Sequence, residues 1–143
     1  MKKNHGPVWI AELSDTYLGD LWTARSPDGL VAVSLWGDKA RFIEVVNRLT
    51  GLQPDYAPRK LTDITSQLQE YLAGERRQFE LEIYWSHMSP FQQDVLRFVC
   101  AIAYGRTRTY GDIARQLGKP QAMRAVGRAN ATNPMPIIIP CPR

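Results

Sequence analysis

Apolar and polar residues alternate along Tyr17-Leu18-Gly19-Asp20-Leu21-Trp22-Thr23-Ala24 and again along Leu30-Val31-Ala32-Val33-Ser34-Leu35-Trp36, on either side of Ser26-Pro27-Asp28-Gly29. Period-two alternation interrupted by a Pro-Asp-Gly turn predicts a β-hairpin. Asp38 then precedes a stretch whose apolar positions Phe42, Val45, Val46 and Leu49 have helical spacing, which predicts a helix N-capped by Asp38. Residues 52–58 read as a loop. Leu61, Ile64, Leu68, Tyr71 and Leu72 predict a second helix, closing at Ala73-Gly74. Strict alternation in Phe79-Glu80-Leu81-Glu82-Ile83-Tyr84-Trp85 predicts a further strand, returning to the hairpin's sheet.

The pattern changes at Ser86-His87-Met88. Ser89-Pro90 suits the N-cap and first position of a new helix, with Phe91, Val95, Leu96, Phe98, Val99 and Ile102 as its apolar face and Tyr104-Gly105 as its end. Residues 109–117 and 121–130 predict two short helices about a turn at Gly118-Lys119-Pro120. Helices so spaced fit a helix-turn-helix, although plain packing units share the spacing. The last segment, Asn133-Pro134-Met135-Pro136-Ile137-Ile138-Ile139-Pro140-Cys141, reads as a short buried strand or extended stretch, since proline bars helix and the β-branched run favours a pleated setting. It would hold Cys141 rigidly, as a nucleophile or as an accident of truncation. The expected organisation is α+β in two domains: residues 1–87, a small sheet with helices, and residues 88–143, helical.

Charge sharpens this division. The 143-residue chain carries a net charge of +4, but residues 1–85 hold 10 Lys/Arg against 12 Asp/Glu, while residues 86–143 hold 8 against only Asp94 and Asp112. Positive charge gathered in one segment suits a polyanion, and equally an unengaged basic surface. All four tryptophans lie within residues 1–85, where they suit a small core. No apolar run approaches the roughly 18 to 20 residues that cross a bilayer, and no apolar stretch follows the basic start, so a cytoplasmic location with no membrane partner is expected. Cys100 reads as a helix-core thiol in preference to a redox partner of Cys141. Two cysteines and two widely spaced histidines give no metal pattern, no phosphate loop occurs, and no cofactor is expected.

In the predicted helix 121–130, Ala122, Ala125, Gly127 and Ala129 are small, and Arg124 and Arg128 share a face four residues apart. Such a slim, basic helix can approach a duplex closely, or pack tightly on another helix. Gly127 sacrifices about 1 kcal/mol of helix stability, which close approach would justify.

The run Arg124-Ala125-Val126-Gly127-Arg128-Ala129, then Asn133-Pro134, then Pro136-Ile137-Ile138-Ile139-Pro140-Cys141, resembles the O6-alkylguanine-DNA alkyltransferases, the methylated-DNA–protein-cysteine methyltransferases. Ser89-Pro90-Phe91-Gln92, Gly105, Thr109-Tyr110-Gly111-Asp112-Ile113-Ala114 and Gly118-Lys119-Pro120 add to the resemblance, which is close over residues 88–143. Residues 1–87 look like that family's variable N-terminal domain, ribonuclease H-like, and residues 88–143 like its winged-helix or helix-turn-helix DNA-binding domain.

The resemblance implies a monomeric, single-turnover repair protein acting on double-stranded DNA that contains O6-alkylguanine. By that resemblance Cys141 is the acceptor nucleophile and Asn133 braces the turn before it. Arg124 is the finger that replaces an extruded nucleotide, and Tyr110 assists flipping. Ala125, Gly127 and Arg128 complete the DNA-binding helix. Flipping is needed because a thiol cannot reach an atom inside a duplex.

The family's motif is Pro-Cys-His-Arg, whereas this chain has Pro140-Cys141-Pro142-Arg143. The family's histidine acts as a base through a water, oriented by a later glutamate. Since a free cysteine is only a few per cent thiolate at neutral pH, slow transfer is expected here. His5 and His87 lie far off in sequence and suit a surface or boundary role better than that of a substitute base. The chain also reads as truncated just after the acceptor cysteine, without the family's tail. Two rivals remain at this level: a lesion reader that leaves Cys141 unmodified, and a regulator that prefers a base sequence to a lesion.

Overall fold

The computed structural model describes residues 6–35, 38–101 and 109–139. The chain divides into two compact units, Met1–His87 and Met88–Arg143.

The first unit is built on a four-stranded sheet of order β3-β2-β1-β4. Strands β1 (Trp9–Thr16), β2 (Gly19–Ser26) and β3 (Gly29–Leu35) form an antiparallel meander, and the two-residue β4 (Asp55–Tyr56) pairs parallel to β1. The hairpin therefore forms where the alternation places it, while β1 and β4 add two strands that the pattern did not reveal. Residues Leu21, Trp22, Thr23 and Ala24 are all buried because helical segments cover both faces of β2. On one face, Ile10, Trp22, Ala24 and Ala32 pack with Phe42 and Val46 of α1 (Lys39–Thr50). Over the other lie a single 3-10 turn at Pro58–Leu61 and α2 (Thr62–Leu72), whose Leu61, Ile64 and Leu68 are buried. Asp38 caps α1 by accepting from the Arg41 N–H at 2.7 Å, and Gly51, at φ 75°, ends it. Of the tryptophans, Trp22 is buried, Trp9 and Trp85 are half-buried, and Trp36 lies outside the described residues.

Residues 79–85 do not form the expected strand. Their backbone pairs with the sheet through a parallel bridge, Leu30 to Ile83, with Leu30 N–H donating to Glu82 O at 2.8 Å and Tyr84 N–H donating to Leu30 O at 2.9 Å, while the Tyr84 ring joins the core. The Gln67 side-chain amide takes the place of a neighbouring strand. Its Oε1 accepts from Glu80 N–H at 2.8 Å and its Nε2 donates to Glu80 O at 3.2 Å. Backbone groups must find partners, and here a side chain on α2 supplies them, so the alternation is real but no ladder forms.

The second unit contains α3 (Pro90–Cys100), α4 (Tyr110–Gln116) and α5 (Met123–Ala131). Ser89 caps α3 by accepting from Gln92 N–H at 3.1 Å, and Val95, Leu96 and Val99 form its buried stripe. The helix ends at Cys100, and the end expected at Tyr104-Gly105, like Ile102, lies outside the described residues. Thr109 and Asp112 form a reciprocal capping box on α4. That helix stops in a Schellman turn: Gly118, at φ 73°, donates to Arg115 O and Lys119 donates to Ala114 O. The chain then enters α5, giving a helix-turn-helix-like pair.

Gly29 has φ 139°, and a Cβ there would lie 2.9 Å from Glu82 O. Gly29→Ala is accordingly expected to lower unfolding free energy by about 2 kcal/mol through backbone strain and displacement of residues 82–84. Urea unfolding followed by tryptophan fluorescence measures this directly.

Candidate functional site

Because Val126, Ala129 and Asn130 face inward, α5 turns Arg124 and Arg128 out to solvent. The two guanidinium groups stand one helical turn apart, and Met123 beside them is also exposed. Ala125 and Gly127 are half-buried between the inward and outward faces. Gly127 accommodates a ring: a Cβ at this position would meet Cδ2 and Cε2 of Tyr110 at 3.2 Å. Of the two explanations for its small side chain, close helix packing is the one seen, with the half-buried Tyr110 at the start of α4 as the neighbour. Tyr110, Gly127 and the two arginines thus form one continuous piece of surface architecture.

Electrostatics along α4 are local. Asp112 is held below the usual carboxylate range, chiefly by the Thr109 backbone N–H and hydroxyl, with Arg115 adding to the effect. Arg115 pairs with Asp112 on the same helix.

After α5, the chain does not extend into a strand. Residues 134–139 form a compact series of turns in which Ile139 N–H donates to Met135 O at 3.0 Å and Ile137 adopts φ 78°. Pro134 and Pro136 contribute no N–H groups, which deprives a ladder of donors, and Asn133 provides local alternatives. Its Oδ1 accepts from Met135 N–H at 2.9 Å, and its Nδ2 donates to Ile139 O at 2.7 Å. Its own N–H donates to Asn130 O at 3.2 Å. Met135, Ile138 and Ile139 are nevertheless buried, as an apolar run should be. Cys141, two residues beyond Ile139, and Pro142 and Arg143 lie outside the described residues.

Cys100 is not a core thiol. It is exposed at the edge of the α3 apolar stripe, one position past Val99. The sulfur is still crowded enough for desolvation to raise the thiol pKa, against the opposing charge of Arg97. His87 is set in the first unit, its ring centroid 5.5 Å from that of Tyr84. Burial lowers its pKa, and although the Val31 backbone is close enough to favour the charged form, neither ring nitrogen has a hydrogen-bond partner with good geometry among the described residues. His5 is outside the described residues. Among those residues no three His, Cys, Asp or Glu side chains cluster as metal ligands, and no helix is long and apolar enough to cross a membrane.

Helical spacing singled out Arg124 and Arg128, and the family resemblance gave Arg124, Tyr110 and Asn133, but neither marked Gln92 as a structural partner of α5. From the start of α3, its Nε2 reaches Ala129 O at 3.1 Å, Thr132 O at 3.3 Å and Thr132 Oγ1 at 2.9 Å. A polar residue early in an amphipathic helix carries no periodic signal of such a contact.

Comparison with known proteins agrees with this architecture. Residues 10–84 match the model of the 6-O-methylguanine DNA methyltransferase ribonuclease-like domain, and residues 90–143 match that of the 6-O-methylguanine DNA methyltransferase DNA binding domain. The chain is 37% identical over 130 residues to the constitutive methylated-DNA–protein-cysteine methyltransferase of Bacillus subtilis, covering 91% of this chain and 76% of that protein. It is 48% identical over 81 residues to the Mycobacterium leprae methylated-DNA–protein-cysteine methyltransferase, an alignment covering 57% of this chain and 48% of that one. Its fold is similar to the crystal structure of Mycobacterium tuberculosis OGT in complex with DNA, with a TM-score of 0.74, 33% identity and coverage of 93% of this chain and 76% of the other. On these grounds the chain belongs to the 6-O-methylguanine DNA methyltransferase family.

Proposed function

We propose that this protein binds double-stranded DNA through α5 and removes an alkyl group from O6-alkylguanine by transferring it to Cys141. The observation that carries this reading is the unbroken path from the exposed arginines of α5, through the Asn133 turn, to a segment that leads within two residues to Cys141. Family membership supplies the chemistry, and the local structure is suited to it.

In this reading Arg124 and Arg128 supply phosphate and groove contacts, and Tyr110, seated against Gly127, meets the strand that must rotate. Extrusion of the base costs a few kcal/mol, and a side chain of α5 that fills the vacated space offsets part of this. The Cys141 sulfur, as thiolate, attacks the alkyl carbon. A sulfur–carbon bond forms as the carbon–O6 bond breaks. Guanine leaves with the electron pair on O6 and takes up one proton, balancing the proton lost from the thiol. The thioether is not reversed, so each molecule acts once.

Intact mass after incubation with a duplex containing O6-methylguanine tests this. Wild-type protein should gain one methylene equivalent, and Cys141→Ala should gain nothing. Selective binding of the lesion duplex without mass gain would instead identify a lesion reader.

The residue after Cys141 is proline, which can accept no proton from the thiol. Pro142→His is therefore expected to raise the single-turnover rate constant by roughly 10²-fold, the low end of general-base contributions. Stopped-flow quenching followed by mass analysis provides the comparison.

Arg124→Ala and Arg128→Ala should each weaken duplex binding. For an arginine that neutralises a phosphate, the slope of log affinity against log salt should fall by about one. Fluorescence anisotropy titrations at several salt concentrations give the slopes.

A further inference from the structure

The end of α5 is closed in an unusual way. A helix leaves its last carbonyls without internal partners, and a glycine in left-handed conformation commonly closes it. Here Thr132 is the C-cap, at φ −101°; its backbone N–H donates to Arg128 O at 3.0 Å and that of Asn133 to Asn130 O at 3.2 Å, and side chains reinforce this closure. The Thr132 hydroxyl donates to Arg128 O at 2.9 Å and accepts from Gln92 Nε2 at the same separation. The same Gln92 nitrogen lies 3.1 Å from Ala129 O and 3.3 Å from Thr132 O, so its two hydrogens serve three acceptors spread across the last turn. Gln92 is itself fixed, because its backbone N–H donates to the α3 cap, Ser89 Oγ, at 3.1 Å.

The next residue after Thr132 is Asn133. Hydrogen bonds therefore run from Ser89 to Gln92 and from Gln92 to Thr132, and across the next peptide bond from Asn133 to Ile139, two positions before Cys141. A joint that served α5 alone would need only to satisfy carbonyls. This one also sets where the Asn133 turn begins, and hence where the segment behind it starts.

We propose that Gln92 is a positioning residue for alkyl transfer, fixing the end of α5 so that the Asn133 turn delivers Cys141 to a lesion held against the same helix. The inference rests on the alkyl-transfer reading above. Its chemical basis is that reacting atoms must approach within a narrow range, and a misplacement of about 1 Å can cost about 10²-fold in rate.

The test uses the full chain and three variants. Gln92→Met keeps length but removes the donor, Gln92→Glu keeps shape but cannot donate while ionised, and Thr132→Ser retains the hydroxyl. Single-turnover rate constants are measured at saturating O6-methylguanine duplex, together with the DNA concentration giving half-maximal rate. Gln92→Met and Gln92→Glu should lower the rate constant by about tenfold or more. Half-saturating DNA should stay near the wild-type value, and Thr132→Ser should retain wild-type kinetics. An unchanged rate constant accompanied by a lower melting temperature would reduce Gln92 to a structural cap and overturn the proposal, as would a loss confined to DNA affinity.

If the wild type transfers no alkyl group, the catalytic reading itself fails. Amide exchange on the DNA-free protein then tests the mechanical part. Gln92→Met should accelerate exchange at the Met135 and Ile139 amides, relative to Ile113 and Leu117 in and beside α4. Equal acceleration at both places, or none, overturns the coupling.

Discussion

The side chain of Asn133 is the constraint on which the rest of the second unit's geometry turns. One amide group both accepts from Met135 and donates to Ile139, closing a loop that contains two prolines and a left-handed isoleucine. Neither feature would hold this shape unaided. Proline removes the donors that could stabilise an alternative ladder, and a β-branched residue at positive φ is costly by about 1–3 kcal/mol unless its surroundings enforce it. Burial of Met135, Ile138 and Ile139 supplies the apolar anchorage, while Asn133 supplies the direction. An apolar side chain in its place could fill the volume, but would leave Ile139 O and Met135 N–H without their partners.

The family's two-part architecture assigns different physical tasks to the two units. In the first, a sheet covered on both faces buries most of the large apolar side chains, and its acidic balance offers little to a polyanion. In the second, the buried stripe is narrow, and charge is placed where the helices have small residues. Gly127 shows how the latter is achieved. The absence of a side chain lets the Tyr110 ring lie against α5, so two elements separated by a turn share one surface.

Legibility followed the range of the interactions. Asp38 and Ser89 announce helix starts because a cap acts over three residues, and α1 and α3 begin where these signals stand. The hairpin was legible for the same reason. Strand β1 was not, because Ile10 and Ala11 are both buried and its end is bent at Asp15, which hides the alternation. Residues 79–85 had the alternation without the ladder, since Gln67 on the preceding helix took the partner's role, and a side chain standing in for a strand leaves no periodic mark. The Ile-Ile-Ile run was read as extended because composition reports burial faithfully but reports backbone path poorly. Tyr110, Arg124 and Asn133 were found through a resemblance, whereas the bond from Gln92 to the end of α5 depends on tertiary approach and leaves no local trace.

The two helices of the helix-turn-helix-like pair are closed by different means. Helix α4 carries its own cap box and its own Schellman turn, whereas α5 has no side-chain cap at Ala122 and relies at its other end on Thr132 and on a residue of α3. A nine-residue helix is too short to persist in water by itself, where about 12 to 15 residues are marginal. The arginine-bearing face is therefore conditional: it exists as an ordered surface only in a molecule whose second unit is already assembled. Partly folded or damaged copies would present loose positive charge in place of a shaped helix.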